Sequence, residues 1–432
     1  MWYNLIMKNI VLIIISAVVL LALSFGAFRL FLPPDPQNAK TGKTAAGSDT
    51  AAGEDDTDPP RRPDDIRGVW IATVDNIDFP SKQGLSDEEL KAELDDIVST
   101  SASAGLNSIF FQVRPTSDAL YYSSIFPASA YVSGRQGEAP GFDILEYLIG
   151  SAKKDNIKIY AWINPMRVTA SGSPKGEDGY PVFAESNPAA SHADTVFEYN
   201  SLYYYNIGLP EVRDMISEGA AEVAANYAVA GVVFDDYFYP YPKEGCTVND
   251  EAAFAEYGAD FGDIADWRRD NVNKLIKLCR DSVKAANEDC SFGVSPFGIW
   301  QNLHEGNGGS QTNGLEAYSE IYCDALAWIE GEYVDFICPQ IYWNIGYPAA
   351  EYKTLVDWWN NAVDGHDSVK LLIGHGVYKI SGWENENEIY DQLIFAASKK
   401  NYRGSVFYGY SEIKADTRGV RSTLSGLFGG IQ

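Results

Sequence analysis

Residues 231–237 read Gly-Val-Val-Phe-Asp-Asp-Tyr, an apolar run that ends abruptly in two carboxylates. A short β-branched and aromatic run of this kind is typical of a buried β-strand. Side chains alternate along a strand, so if Phe234 faces an outer layer, Val233 and Asp235 face the opposite side. Asp236 reaches that side only if the strand has ended and the loop turns it back. The segment therefore predicts a strand that delivers Asp235 at its carboxyl end.

Seven further runs of this kind lie between residue 66 and the C-terminus, and helical segments alternate with them. This alternation indicates parallel β/α units, and eight units predict an α/β fold, a (β/α)8 TIM barrel with inserted loops. An open doubly wound sheet is the structural alternative, but its usual glycine-rich fingerprint does not follow strand one. The predicted strands span residues 69–74, 108–113, 158–163, 231–235, 291–295, 334–340, 369–374 and 404–408. The predicted helices include residues 87–103, 143–155, 211–227, 265–286, 315–329, 352–362 and 386–399.

The N-terminal part of the chain differs from the rest in composition. Residues 9–28 carry no charge, and as a helix they would be about 30 Å long, enough to cross a bilayer. Residues 1–30 are therefore predicted to be a signal anchor or transmembrane helix, residues 31–65 a disordered linker, and residues 66–432 the barrel domain. This organisation predicts a single-pass cell-membrane protein with an extracytoplasmic barrel, or a secreted one if the N-terminal segment is cleaved.

Charge and composition exclude several classes of function. The formal net charge of −27 argues against a nucleic-acid partner, whose phosphates require a basic surface. The 5 Cys form no C-x-x-C and the 4 His form no H-E-x-x-H, so neither a metal nor a cofactor is expected. The 10 Trp and 27 Tyr exceed what packing alone demands, and such rings commonly stack on sugars.

The residues that follow the predicted strands are the site candidates, because reactive groups of (β/α)8 barrels lie at the carboxyl ends of strands. They combine carboxylates, amides and aromatic rings, a mixture that suits sugar hydroxyls and ring faces. Alternation along strands two and three predicts an inward orientation for four of them, Gln112, Arg114, Trp162 and Asn164. The predicted substrate-binding residues are Asp78, Gln112, Arg114, Trp162, Asn164, Arg167, Tyr237, Tyr239, Trp300, Gln340, Tyr342, Trp343 and His375.

Glycoside hydrolysis generally uses two carboxyl groups, one of them protonated to assist the leaving oxygen. Asp235 is the first choice for the central carboxylate. Asp236 and Asp118 are the leading candidates for the second catalytic carboxyl, with Asp78 behind them. Structural alternatives stay open, because a strand-end Asp also caps helices and turns and Arg114 also suits a buried ion pair.

Six motifs, in this order along the chain, resemble the bacterial glycosyl-hydrolase-like family 10. The resemblance extends from about residue 66 to the C-terminus. It implies a TIM-barrel glycosidase-type domain, often attached to a membrane, with relatives similar to peptidoglycan glycan-strand hydrolases. The motifs are Arg67-Gly68-Val69-Trp70, Asn76-Ile77-Asp78-Phe79-Pro80, Phe111-Gln112-Val113-Arg114-Pro115, Ala161-Trp162-Ile163-Asn164-Pro165, Phe234-Asp235-Asp236-Tyr237 and Cys338-Pro339-Gln340-Ile341-Tyr342-Trp343.

The expected function is an extracytoplasmic glycoside hydrolase that cleaves peptidoglycan glycan strands or another polysaccharide. Two alternatives remain open at this point. One is a non-catalytic glycan-binding barrel. The other is a metal-dependent hydrolase or deacetylase of glycans, suggested by the clustered carboxylates Asp75, Asp78, Asp235 and Asp236.

Overall fold

The computed structural model describes residues 64–429, except positions 172, 174, 178 and 192. The predicted anchor, residues 1–30, and nearly all of the predicted linker, residues 31–65, lie outside these residues, so both stay predictions. Within the described ranges, no helix is both long and apolar enough to span a bilayer.

A closed parallel barrel forms the centre of the domain, which confirms the predicted (β/α)8 architecture. The strand at each barrel position pairs in parallel with the next, and the last pairs with the first, which closes the sheet. The barrel strands are β1 (Ile66–Ile71), β2 (Ser108–Arg114), β3 (Lys158–Ile163), β6 (Gly231–Phe234), β7 (Ser291–Val294), β8 (Phe336–Ile337), β9 (Gln340–Ile341), β10 (Lys370–Gly376) and β11 (Tyr402–Tyr408). An antiparallel hairpin of β4 (Val196–Tyr199) and β5 (Leu202–Tyr205) is inserted after β3.

One predicted strand is divided in the structure. The prediction of a continuous strand over residues 334–340 is wrong, because β8 and β9 share that barrel position and both pair with β10. Pro339 lies between them and has no N–H to donate to the neighbouring strand. Its carbonyl instead accepts the N–H of Gly374 at 3.0 Å, so the sheet continues across the interruption.

Helices surround the barrel. Their bounds are α1 (Asp87–Ser103), α2 (Ala130–Ser133), α3 (Ile144–Ala152), α4 (Pro188–Ser191), α5 (Pro210–Asn226), α6 (Glu251–Tyr257), α7 (Ile264–Ala286), α8 (Ala317–Glu320), α9 (Ala325–Glu330), α10 (Tyr352–Ala362), α11 (Glu388–Ala397), α12 (Tyr410–Ala415) and α13 (Val420–Phe428). The helix predicted over residues 315–329 is divided into α8 and α9, because Asp324 caps a new helix by accepting the N–H of Ala327.

Two apolar layers separate along the barrel strands, as alternation predicts. Val232 and Phe234 belong to the large core between strands and helices, whereas Val233 belongs to a second cluster of inward residues. The inward cluster comprises Trp70, Ala72, Phe110, Tyr160, Trp162, Val233, Phe336, Cys338, Leu372 and Val406. The predicted orientation of Val233 is therefore confirmed.

Truncation of the inward layer is expected to destabilise the barrel. Phe110 is fully buried and its ring lies 4.5 Å from that of Tyr160 and 4.8 Å from that of Trp70. Phe110→Ala should lower the free energy of unfolding by about 3–5 kcal/mol, because a cavity replaces a large ring. Denaturant unfolding followed by tryptophan fluorescence would measure the loss. Tyr257→Ala is the control, since Tyr257 is exposed and should change stability little.

A register shift in β2 reverses one predicted orientation. Gln112 aligns with Trp162, but the next aligned pair is Arg114 with Ile163, so one extra residue is accommodated in β2. An extra residue of this kind inverts the alternation after it. Arg114 consequently points away from the barrel axis, and its guanidinium lies 4.2 Å from the centre of the Phe126 ring. The prediction that Arg114 faces the axis is wrong for this reason.

Candidate active site

Asp235 lies at the end of the barrel where the strands finish, which we call the mouth. The mouth is bounded by the last residues of the barrel strands, Ile71, Arg114, Ile163, Phe234, Val294, Ile341, Gly376 and Tyr408. Asp235 is only 3% exposed, and three donors orient its carboxylate. Oδ2 accepts the indole N–H of Trp162 at 2.9 Å and the amide of Asn164, while Oδ1 accepts the N–H of Tyr237 at 3.2 Å.

Gln112 supports this arrangement from the neighbouring strand. Its amide nitrogen donates to Oδ1 of Asn164, which turns the amide of Asn164 toward Asp235. Its own Oε1 accepts the N–H groups of Thr73 at 2.7 Å and Val74 at 2.9 Å. The buried Gln112 therefore connects the ends of β1, β2 and β3 and fixes the donors to Asp235.

Asp236 turns toward the opposite wall of the mouth. Because β6 ends at Phe234, the chain is free to bend there. One oxygen of Asp236 accepts the amide of Gln340 at 2.9 Å, and the other accepts the hydroxyl of Tyr241. Gln340 also donates to the carbonyl of Ser295 at 3.1 Å, so Asp236 is connected to strands β7 and β9.

The two adjacent acids, which we call the carboxyl pair, perturb each other. Burial raises the pKa of Asp235 to about 7, and the charge of Asp236 adds to the rise. Burial also raises the pKa of Asp236, against the hydrogen bonds from Tyr241 and Gln340. Two such carboxyls titrate together rather than independently. The pair therefore holds a proton more tightly than a pair of exposed aspartates would.

Arg167 supplies positive charge beside the carboxyl pair. Its guanidinium lies 4.3 Å from the centre of the Tyr237 ring. Burial works against the charge of Arg167, but Tyr237, Asp235, Tyr204 and Tyr131 together raise the pKa of the guanidinium above its ordinary value. Arg167 thus favours the ionised form of the carboxyl pair.

Asp78 is a third acid at the mouth, at the end of β1. Its Oδ2 accepts the N–H of Ala72 at 2.9 Å, and Oδ1 accepts no hydrogen bond within the part of the chain that the structure describes. Burial raises the pKa of Asp78 to about 7, and the charge of Glu412 adds to the rise. Burial raises the pKa of the Tyr408 hydroxyl, and nearby Tyr237 and Asp78 add to the rise.

Three tyrosines form a continuous aromatic surface at the mouth, the tyrosine wall of Tyr342, Tyr378 and Tyr408. The rings of Tyr342 and Tyr408 stack at 5.9 Å, and the edge of Tyr378 meets them at 6.0 and 5.5 Å. Burial raises the pKa of Tyr378, and nearby Tyr237 and Asp236 add to the rise. Tyr237 is 38% exposed above the carboxyl pair, so ring faces and hydroxyls are presented together there.

Three predicted substrate-binding residues lie in the protein core instead. His375 is fully buried, hydrogen-bonded to Gln392 and Ser405, and burial lowers its pKa to about 4, so it is neutral. Tyr239 is fully buried in the outer core, against the rings of Phe197 and Tyr322. Trp300 stacks on Trp358 at 5.8 Å and donates to Asp324. The contacts of these three residues are those of packing, because burial leaves no open face for a sugar.

Asp118 belongs to a separate hydrogen-bond network. It accepts bonds from the Thr116 hydroxyl at 3.0 Å, the N–H of Ala130 at 3.1 Å and the Gln136 amide at 3.2 Å. The chain after β2 folds back on itself here, since Ala119 pairs with Ala128. These three hydrogen bonds hold Asp118 in the loop after β2, and its assignment as a catalytic carboxyl stays a prediction.

Sequence reasoning missed Tyr241 and Lys379. Tyr241 follows Asp235 by six residues, beyond the strand end where alternation stops being informative. Lys379 lies in the turn after β10 and is near Trp343 only because two loops converge there. No local pattern signals either residue.

Comparison with known proteins identifies related sequences. The family model described as glycosyl hydrolase-like 10 matches residues 65–391. Glycosyl hydrolase YngK of Bacillus subtilis (strain 168) is 39% identical over 368 residues, which cover 84% of this chain and 71% of that protein. Glycosyl hydrolase DigH of Escherichia coli (strain K12) is 36% identical over 325 residues, 73% of this chain and 74% of that protein.

Solved structures share the architecture at low sequence identity. The glycoside hydrolase domain of PgaB (BpsB) from Bordetella bronchiseptica superposes with a TM-score of 0.52 at 12% identity, covering 84% of this chain and 98% of that chain. Alpha-L-fucosidase isoenzyme 2 from Paenibacillus thiaminolyticus also gives 0.52 at 12% identity, covering 84% and 49% respectively. Likeness at this identity supports the barrel fold alone.

Proposed function

The chain belongs to the glycosyl hydrolase-like 10 family, and on that premise we propose that it is a glycoside hydrolase whose reaction takes place at Asp235. The observation that carries the proposal is the oriented, buried carboxylate at the mouth of the barrel. Arg167 and the tyrosine wall beside it provide the charge and ring faces that a sugar at this position requires.

Asp235 is proposed to act as the carboxylate that stabilises or attacks the developing positive charge at the anomeric carbon. Asp235 is the acceptor in all three of its hydrogen bonds, and such bonds orient and favour the ionised carboxylate. Fixed donors of this kind need no rearrangement during the reaction. Asp236 is proposed to tune the proton affinity of Asp235 through its charge.

Asp78 is proposed as the proton donor to the leaving oxygen. Its pKa of about 7 keeps a substantial protonated fraction at neutral pH, and its Oδ1, which accepts no hydrogen bond from the described residues, can carry the proton. Burial raises the pKa of Asp235 and Asp78 alike, so the proposed roles rest on their hydrogen bonds: three donors favour the ionised form of Asp235, whereas Asp78 accepts one hydrogen bond among the described residues. Strands β1 and β6 lie three positions apart around the barrel, so the two acids approach the mouth from different sides.

The proposed substrate is a cell-wall glycan strand or related polysaccharide outside the cytoplasm. The family resemblance and the predicted N-terminal anchor support this assignment. Membrane attachment and export are part of the proposal and rest on residues 1–30 of the sequence.

Release of new reducing ends from purified glycan strands by the full chain tests the proposed activity. A non-catalytic glycan-binding barrel would retain the strands and release no product. A metal-dependent hydrolase or deacetylase would lose its activity in EDTA, whereas the two-carboxyl reaction would keep it. Across the described residues, no three His, Cys, Asp or Glu side chains come together as a metal site requires.

Asp236→Asn should move the acid limb of the kcat/KM profile to lower pH. The charge of Asp236 raises the pKa of Asp235, so its removal lets Asp235 ionise in more acidic solution. A pH profile on one glycan measures the shift. Tyr241→Phe is the matched control, since it removes a hydrogen bond to Asp236 but keeps the charge. A profile of Asp236→Asn that does not move would contradict the proposed role.

A further inference from the structure

Lys379 is a half-buried cation on the wall of the mouth. Strand β10 ends at Gly376, and the 3-10 turn Val377–Gly382 that follows carries Tyr378 and Lys379. The ammonium of Lys379 lies 5.4 Å from the centre of the Tyr378 ring and 5.9 Å from that of Trp343. Two aromatic residues therefore flank the charge on the side of the tyrosine wall.

Lys379 has no anionic partner in the part of the chain that the structure describes. It makes no hydrogen bond or ion pair there, and burial alone lowers its pKa. Two other partly buried lysines are paired, Lys399 with Asp357 at 2.5 Å and Lys284 with Asp335 at 3.0 Å, whereas Lys91 on helix α1 resembles Lys379 in having two aromatic neighbours and no anionic partner among the described residues. The chain has 60 acidic residues against 33 basic ones, so potential partners are abundant. What distinguishes Lys379 is its place on the wall of the mouth, where a bound glycan can supply an anion to the ammonium.

Lys379 does not touch the carboxyl pair, but a series of aromatic side chains connects the two. Trp343 meets the ring of Phe297 at 5.6 Å, Phe297 meets Tyr241 at 6.1 Å, and the hydroxyl of Tyr241 donates to Asp236. On the other side, Tyr378 joins Lys379 to the rest of the tyrosine wall. Lys379 is thus connected to Asp236 through the side chains of Trp343, Phe297 and Tyr241, and a neighbouring sugar of a bound chain would lie over this aromatic surface.

We infer that the Lys379 ammonium binds a carboxylate carried by a sugar next to the cleaved bond, so that the enzyme selects acidic glycans. The inference rests on the proposed function, because it places a glycan across the mouth. A carboxylate on the sugar would accept a charge-assisted hydrogen bond from the Lys379 ammonium. Trp343 and Tyr378 would contact the apolar face of the same sugar. Lys379 is therefore a specificity-determining residue and takes no part in bond cleavage.

The test compares an acidic glycan with its neutral counterpart. Purified cell-wall glycan strands that carry free carboxylates are used as prepared and after chemical reduction of those carboxylates to alcohols. For the full chain, kcat/KM should be roughly 10- to 100-fold higher on the acidic form, the range expected for one charged hydrogen bond. Lys379→Met should lose that preference by lowering kcat/KM on the acidic form only, and Lys379→Arg should restore most of it.

Lys91→Met is the matched control for this experiment. Lys91 is also half-buried, and its ammonium lies 4.6 Å from the Phe142 ring and 5.9 Å from the Tyr147 ring, but on helix α1 outside the barrel. Its variant should keep the preference for acidic glycan. An equal loss on both glycans in Lys379→Met, or the absence of any preference in the unaltered chain, would overturn the inference.

Binding measurements separate this inference from the proposed function. Calorimetric affinities of the Asp235→Asn protein for the two glycans, with and without Lys379→Met, report carboxylate recognition without turnover. If neither glycan is cleaved but the affinity ratio depends on Lys379, the proposed hydrolysis fails and the carboxylate site stands. If both glycans are cleaved at rates independent of Lys379, the hydrolysis stands and the carboxylate site is refuted.

Discussion

Asp235→Asn is expected to lower kcat on glycan strands by at least about 10³-fold, the scale seen when an essential reacting group is removed. The neutral amide cannot stabilise the positive charge that develops on the sugar. It keeps nearly the same volume, and its one oxygen can still accept from Trp162 and Asn164, while the hydrogen bond from the N–H of Tyr237 is lost. Reducing-end release under saturating glycan measures the effect.

The same variant should be at least as stable as the unaltered protein in mildly alkaline solution. The pKa of Asp235 is raised in the folded state to about 7, above its unfolded value of about 3.9. A carboxyl shifted in this direction stabilises the fold below pH 4, and its contribution is lost as the pH rises toward 7. Asn does not ionise, so the Tm of Asp235→Asn at pH 8 should equal or exceed that of the parent. Lost activity without lost stability would then identify a functional role.

Asp118→Asn is the control for Asp235→Asn. Asp118 is an equally buried acid whose hydrogen bonds go to Thr116, Ala130 and Gln136. Its variant should stay folded, since burial raises the pKa of Asp118 in the same direction as that of Asp235, and its kcat per folded molecule should stay within a few-fold of the parent. A folded Asp118→Asn protein as inactive as Asp235→Asn would place Asp118 among the reacting carboxyls.

Asp78→Asn is expected to have the second largest effect, a loss of about 10²- to 10⁴-fold in kcat/KM on glycan strands, the usual contribution of a general acid. The loss should depend on the leaving group, because an acid matters only where the leaving oxygen needs a proton. A dinitrophenyl glycoside of the same sugar leaves without protonation, so its cleavage should be nearly unaffected. Parallel assays on the two substrates measure this contrast.

The pH profile gives a second readout for Asp78. The protonated form is the active one, and its pKa is about 7, so kcat/KM on glycan should fall as the pH rises through about 7. Asp78→Asn should abolish that limb. Glu412→Gln should move it to lower pH, since the charge of Glu412 helps to raise the pKa of Asp78. Equal losses of Asp78→Asn on both substrates would indicate a binding role instead.

The sequence predicted those parts of the site that depend on a single strand end. It did not predict those that depend on contacts between loops. Strand ends predicted that Asp78, Trp162, Asn164, Asp235 and Gln340 lie at one end of the barrel. Strand ends could not reveal that Asp236 is bound by Tyr241 and Gln340, because those contacts join segments 104 residues apart in one case. Strand ends also could not show that His375 and Tyr239 are buried in the core and do not line the mouth.

The sequence by itself determined the barrel and the inward position of Val233, because hydrophobic periodicity and side-chain alternation are properties of short segments. Only the tertiary structure decided the outward turn of Arg114, since a single extra residue in β2 becomes visible only against the register of β3. It alone decided the raised proton affinity of Asp78 and Asp235, because burial depends on everything packed around them. The place of Lys379 between Tyr378 and Trp343, with no anionic partner among residues 64–429 that the structure describes, likewise depends on converging loops and leaves no local pattern in the sequence.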